Sequence, residues 1–234
     1  MWAFGFLRQN VRVSTVASAT KRISLSVGFT VGLYGIAFGA AGISAGFSVF
    51  QTCILSLAAF TGASQFAAVG VIGAGGSALS AIATATLLGL RNTLYGAVMS
   101  PRLRVRGVKR VIAAQITIDE STGVALGQEI NGEEEMRRGF WWTGAAVYLF
   151  WNLFTFLGAR GAQALGDPEQ WGLDAAVPAA FLGLLWPRLT GKIEKVIALL
   201  SSLLALTLTP LLPAGLPIIA TVSIALYFGL RKVR

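Results

Sequence analysis

From residue 23 to residue 90 the chain carries no Asp, Glu, Lys or Arg. Arg91 interrupts the run, and residues 92–101 are again uncharged. Further uncharged stretches cover 140–159 and 196–230, while 175–187 is shorter but strongly apolar. A water-soluble fold could not bury so much without leaving an apolar face in solvent. A bilayer accommodates it, provided the backbone is helical and satisfies its own hydrogen bonds. At about 20 residues per crossing, the pattern predicts an all-α membrane protein, a polytopic helical bundle of about six to eight membrane segments. The first half resolves into three apolar blocks, near 23–44, 45–72 and 77–100. One or two segments are expected to be broken or re-entrant, with the natural break at Thr61-Gly62-Ala63-Ser64.

Charge placement divides the chain and orients it. Residues 1–22 form a basic N-terminal arm, cytoplasmic or lying on the surface, too basic and irregular for a secretory signal peptide. A single transmembrane domain spans 23–230, with a first half (23–100), a cytoplasmic link (101–139) and a second half (140–230). A basic cytoplasmic tail (231–234) follows. Residues 101–110 hold five basic residues and no acid, and 188–195 hold three basic residues. By the positive-inside rule both face the cytoplasm, as do the two termini. Residues 161–174 carry Asp167, Glu169 and Asp174 without a basic residue and are expected outside. Trp141, Trp142, Trp171 and Trp186 flank these loops as an interfacial belt would. The second half then threads as 140–159 outward, 172–187 inward, 196–212 outward and 214–230 inward. The first half begins and ends inside, which requires an even number of crossings.

Composition narrows the chemistry. Charged residues are 12% and hydrophobic residues 55%, which excludes disorder, a disulfide scaffold and a coiled coil. Cys53 is the only cysteine, so no intramolecular disulfide forms. Histidine is absent, which removes histidine zinc sites, Ser-His-Asp triads and histidine proton relays. The net charge of +9 would suggest nucleic acid in a soluble protein. Here the basic residues sit in short clusters between apolar blocks, so no nucleic-acid partner is expected. No P-loop, metal-ligand spacing, nucleophile elbow or dinucleotide fingerprint is present, and neither an enzyme nor a cofactor is expected.

Four motifs stand out. Gly28, Gly32, Gly35, Gly39, Gly42 and Gly46 recur at alternating spacings of 4 and 3, which sets all six on one helix face. Such a face serves close helix packing inside the chain, or a groove for a second subunit. Arg91 is the one formal charge between residues 23 and 101. It lies about ten residues, or roughly 15 Å, from the cytoplasmic edge, near mid-bilayer. Ser77, Ser80, Thr84, Leu88 and Tyr95 continue its face. An arginine at that depth anchors a ligand carboxylate, balances a buried acid, or serves as a structural or snorkelling side chain. Residues 61–66, Thr-Gly-Ala-Ser-Gln-Phe, read as a simple kink or as a half-helix start whose N–H groups face an anion. Asp119-Glu120, within the small and apolar stretch 113–127, belongs to a solvated loop or to a segment dipping in from the cytoplasm. In the latter case its carboxylates carry a proton, bind an ammonium group or pair with Arg91. The acidic-basic run 133–138 reads as a surface helix turn with internal charge pairing.

Taken in order, Gly32-Leu-Tyr-Gly35, Gly62-Ala-Ser-Gln-Phe66, Leu90-Arg-Asn-Thr-Leu-Tyr-Gly96, Ile118-Asp-Glu120 and residues 172–182 resemble the AzlC family. The resemblance covers roughly residues 23–230. One departure is Asn92, where the family usually has histidine; if that histidine serves proton coupling in relatives, this chain must use another group. The resemblance implies export of branched-chain amino acids (leucine, isoleucine, valine) across the bacterial cytoplasmic membrane. It also implies secondary transport driven by the proton gradient, and a small AzlD-type membrane subunit as partner. On that reading Arg91, with Gly62, Ser64 and Gln65, holds the substrate carboxylate, and Asn92 and Tyr95 belong to the same substrate site. Phe66 accepts the branched side chain. Asp119 or Glu120 holds the ammonium or the exchanging proton. The competing classes are a non-transporting assembly or structural subunit, which the glycine ladder alone would fit, and a small-anion channel with Arg91 as the filter charge.

Overall fold

The computed structural model describes residues 2–166 and 175–232, and among them every regular element is helical. The first half holds α1 (Trp2–Gly32), α2 (Tyr34–Ser44), α3 (Val49–Ala58), α4 (Ala63–Gly73) and α5 (Ala78–Leu103). Two short helices follow, α6 (Val108–Gln115) and α7 (Asp119–Gln128), and then the long α8 (Glu133–Leu165). The last part holds α9 (Ala176–Leu185), α10 (Lys192–Leu208), α11 (Leu216–Ala220) and α12 (Val222–Lys232). The expected outer loop, with Asp167, Glu169, Trp171 and Asp174, lies outside the described residues.

Among the described residues, one helical stretch is long and apolar enough to cross a bilayer, Thr15–Ser44, interrupted only by a turn at Leu33. The arm expected over 1–22 is helical from Trp2 and runs into this stretch without a break. The apolar block 45–72 is two short helices, α3 and α4, parted near Gly62. Gly62 has φ 66°, a left-handed value that suits a residue without Cβ. At the other end of the first half, α5 continues through Pro101 to Leu103 and stops at Arg104, whose φ is 51°. Large apolar side chains face outward along the chain: Phe50, Leu79, Leu149, Leu206 and Leu230 are each more than half exposed. A protein surrounded by water avoids such a surface; one surrounded by lipid requires it.

Two compact units emerge. The first comprises Met1–Ile36, Cys53–Thr61 and Leu90–Leu157, the second Ala37–Thr52, Gly62–Gly89 and Gly158–Arg234. Packing of α1 on α8 dominates the first. Thr20 Oγ1 donates to Glu135 Oε2 at 2.7 Å, and Thr143 Oγ1 donates to Ser24 Oγ at 2.9 Å. Further along, Gly28 lies on Ala146, Gly32 on Phe150, and Gly35 on the Trp151 carbonyl. Residue numbers rise together on both helices, so α1 and α8 run parallel. A Cβ on Gly28 or Gly32 would come within 2.5 Å of a Cβ on α8, so glycine is what permits this approach. Phe29 adds edge contacts to Phe150 and Phe154, with centroids at 5.6 and 5.7 Å. Beside this interface Met99, Leu103, Ala113, Ile116, Ala125, Met136 and Phe140 form a buried cluster. The 133–138 run pairs internally as its spacing suggests, Arg137 with Glu133 and Arg138 with Glu134 and Glu135.

In the second unit Phe66 is fully buried between Phe38 and Phe181, at 5.4 and 6.1 Å between ring centroids. Gly42 abuts Thr52, Gly73 abuts Ala45, and Ser80 Oγ donates to the Ala214 carbonyl at 2.6 Å.

Candidate functional site

The site grows from the broken end of α3. An α-helix leaves its last carbonyls without intrahelical donors, and these gather partial negative charge. In water they would be hydrated; in a bilayer each needs a protein donor. Gln115 Nε2 donates to the Leu57 carbonyl at 2.9 Å and to that of Ala58 at 3.4 Å. Tyr148 Oη donates to Leu57 O at 3.2 Å, and Thr61 Oγ1 to Ala59 O at 3.0 Å. The Thr61 carbonyl accepts from Arg91 Nη2 at 3.1 Å. The guanidinium thus donates to a carbonyl of the non-helical linker between α3 and α4, a backbone acceptor that has no helical partner of its own.

The same guanidinium faces a carboxylate. Arg91 Nη1 lies 3.5 Å from Asp119 Oδ2, with the two side chains 27% and 25% exposed. Asp119 begins α7, where the unpaired N–H groups favour an anion. That helix start is fixed locally: the Ile118 N–H donates to Ser121 Oγ at 3.1 Å, and Ser121 Oγ donates back to the Ile116 carbonyl at 2.7 Å. Glu120 follows at the second position and is half-buried. One cation therefore stands against two adjacent carboxylates. Arg91 Nε is buried with no hydrogen-bond partner among the described residues, and so is Thr122 Oγ1 on the next turn of α7. A buried donor left unused costs about 1–3 kcal/mol, which a bound acceptor would recover.

Of the residues singled out by sequence, the structure brings together Arg91, Asp119 and Glu120, all in the first compact unit. Asn92 and Tyr95 follow Arg91 on α5 and are half-buried. The Asn92 carboxamide oxygen is buried and unpartnered among the described residues. Gly62, Ser64, Gln65 and Phe66 belong to the second unit. There the Gln65 Oε1 accepts from the Gly62 N–H at the start of its own helix, at 3.0 Å. Ser64 is buried at the start of α4. Of the glycine ladder, Gly28, Gly32, Gly35, Gly39 and Gly42 are buried and Gly46, with φ 87°, is exposed. The faces of Gly28, Gly32 and Gly35 are filled by α8, and that of Gly42 by Thr52, so these positions leave no open groove. Sequence reasoning overlooked Gln115 and Tyr148. Both are polar tips among small and apolar neighbours, and that isolation was the available signal.

A protein-family model described as AzlC protein matches residues 26–165. The chain belongs to the AzlC family. AzlC proteins are membrane transporters rather than enzymes, associated with branched-chain amino acid transport. The AzlC match takes in the α1–α8 interface, the α3 break and the Arg91–Asp119 pair. Neither the curated proteins nor the solved structures contain a match to this AzlC chain.

Proposed function

We propose that this AzlC chain is the large subunit of a secondary exporter of branched-chain amino acids in the bacterial cytoplasmic membrane, coupled to protons. The observation that carries the proposal is the Arg91 guanidinium, held between the Thr61 carbonyl and Asp119 with Nε still unpartnered. A substrate carboxylate is a fitting acceptor for that donor, because a charged hydrogen bond in a low-dielectric site is stronger than a neutral one. Asp119 and Glu120 supply the rest of the chemistry. With Arg91 balancing one carboxylate, the other takes a proton or the substrate ammonium, and exchange between the two couples cargo to the proton gradient. Asn92 and Tyr95, which follow Arg91 on α5, belong to the same substrate site on this reading.

The short helices support a membrane arrangement with discontinuous spans. Helices α3 and α4 have 10 and 11 residues, about 15–17 Å each, roughly half of a hydrocarbon core. Paired half-helices of this kind would complete the six to eight membrane segments expected of the chain. A small AzlD-type subunit joins the complex. Because packing within the chain occupies most of the glycine ladder, that subunit seats on another face.

Counterflow of labelled valine in proteoliposomes, with and without the small subunit, tests the reading across a pH series. Valine uptake should require an opposing pool of leucine, isoleucine or valine. Glu120→Gln should lose the pH response while remaining in the membrane. Absence of counterflow with both subunits present would favour a non-transporting subunit, and steady current at fixed potential would favour an anion channel.

A further inference from the structure

Residues 101–118 carry Arg102, Arg104, Arg106, Lys109 and Arg110 and no acid. Arg102 pairs with Glu129 at 3.2 Å. The other four are exposed and form no ion pair among the described residues. Helix α6 grows out of this stretch with two unlike sides. Ala113 packs inward, in one buried cluster with Met99, Leu103, Met136 and Phe140. Val108, Val111 and Ile112 fall within an arc about 100° wide on the other side, and they are 75%, 70% and 49% exposed. Lys109 borders that arc next to Ile112. The depth of α6 is marked independently of its charge. Just past its end Ile116 lies on Gly144 of α8, where an added Cβ would come within 2.7 Å of Ile116 Cδ1. Two residues earlier on α8, Trp142 is part-exposed beneath the Lys21 ammonium, 5.0 Å from the ring centroid. An indole under an ammonium suits the headgroup level of a bilayer. All of these residues belong to the first compact unit.

We propose that α6 and residues 104–107 form a binding surface for anionic phospholipid, with the helix lying along the boundary between headgroups and acyl chains. Val108, Val111 and Ile112 enter the acyl side. Arg104, Arg106, Lys109 and Arg110 reach the phosphates, their aliphatic stems lying along the boundary. Water would leave the apolar arc uncovered, and neutral lipid would leave four cations against a surface without net charge. An anionic headgroup on acyl chains answers both. The surface faces the side that lysine and arginine bias assigns to the cytoplasm. Its occupancy reaches the Arg91–Asp119 site through short connections. Gln115, the last residue of α6, donates to the Leu57 and Ala58 carbonyls, and after residues 116–118 Asp119 opens α7. Lipid that holds α6 therefore holds the cap of α3 and the start of α7. The inference needs the place of the chain in a bilayer and not its cargo, so it stands or falls apart from the export reading.

Because Cys53 is the only cysteine, a Cys53→Ser, Val111→Cys chain carries one thiol, on the exposed arc, for a fluorescent probe. The purified full-length protein is reconstituted into phosphatidylcholine vesicles with a minor share of phosphatidylglycerol, and bromine quencher is placed on the chains of one lipid or the other. Brominated phosphatidylglycerol should quench about tenfold more effectively, mole for mole, than brominated phosphatidylcholine. Arg104→Gln, Arg106→Gln, Lys109→Gln and Arg110→Gln together should bring the ratio near one. Salt at about 1 M, where screening acts over roughly 3 Å, should do the same without these four changes. Equal quenching by the two lipids at low salt would overturn the anionic preference. Quenching by aqueous acrylamide and by neither lipid would place the arc in water, and shielding from all three would assign it to a protein neighbour; either result overturns the proposal. Amide exchange at the end of α3 should slow several-fold on adding phosphatidylglycerol to pure phosphatidylcholine vesicles, and Gln115→Leu should erase that difference. Exchange equal in the two vesicles would overturn the link from lipid to the site.

Discussion

Asp119→Asn removes the charge opposite Arg91 while keeping size and hydrogen-bonding capacity. At 3.5 Å, and with an effective dielectric constant near 20, the Coulomb attraction is about 5 kcal/mol before desolvation. The side chains are about a quarter exposed, so screening and the cost of withdrawing both ions from water remove much of it. A net coupling of about 2 kcal/mol is what remains, within the range for residues in direct contact. The assay is a double-mutant cycle of Arg91→Gln and Asp119→Asn, followed by thermal unfolding in detergent. For a chain of 234 residues, 2 kcal/mol corresponds to a midpoint shift of about 4–8 °C. Each single variant strands a charge and should unfold earlier by about that much. The double variant should fall well short of the summed loss. Additivity within about 0.5 kcal/mol would refute the pairing. Transport separates structure from mechanism in the same set: the double variant regains its stability but should remain inactive, since no guanidinium is left for the cargo. Transport by the double variant would refute the anchoring role of Arg91.

Gly32→Ala should lower the unfolding midpoint, because its methyl would lie within 2.5 Å of Phe150 Cβ; forcing α1 from α8 costs about 1–3 kcal/mol, and an unchanged midpoint would mean that the helices are not in contact there. Gln115→Leu strips the Leu57 and Ala58 carbonyls of one donor, with an expected cost of about 1–2 kcal/mol and faster amide exchange at the end of α3; exchange equal to that of the parent protein would show that Gln115 does not cap it.

Charge scarcity made the centre of the site legible. Arg91 stands alone in a long uncharged stretch, and Asp119 follows in one of the few polar stretches near it, so their pairing was among the options the residues themselves offered. The break at Gly62 was legible because glycine beside small polar residues ends helices cheaply. The fate of the glycine ladder was not legible. Its spacing fixes a face, but the helix that fills the face lies more than a hundred residues downstream, and nothing local encodes that register. The local contact of Gln65 was not legible either. A buried amide can serve a ligand or its own helix start, and residue order alone does not show that its Oε1 meets the Gly62 N–H. The seat of α6 depends on Ala113 joining Met99 and Leu103 of α5 in one cluster, a tertiary event that residue patterns do not report.

The parallel pairing of α1 with α8 carries a consequence for biogenesis. Ser24 and Thr143 bond across 119 residues of chain, which a ribosome working at about 5–20 residues per second needs roughly 6–24 s to synthesise. Throughout that interval the glycine face of the first helix has left the translocon without the surface that will cover it. Chains truncated before α8 should therefore be recognised as orphans by membrane quality control, although their first segment is already inserted.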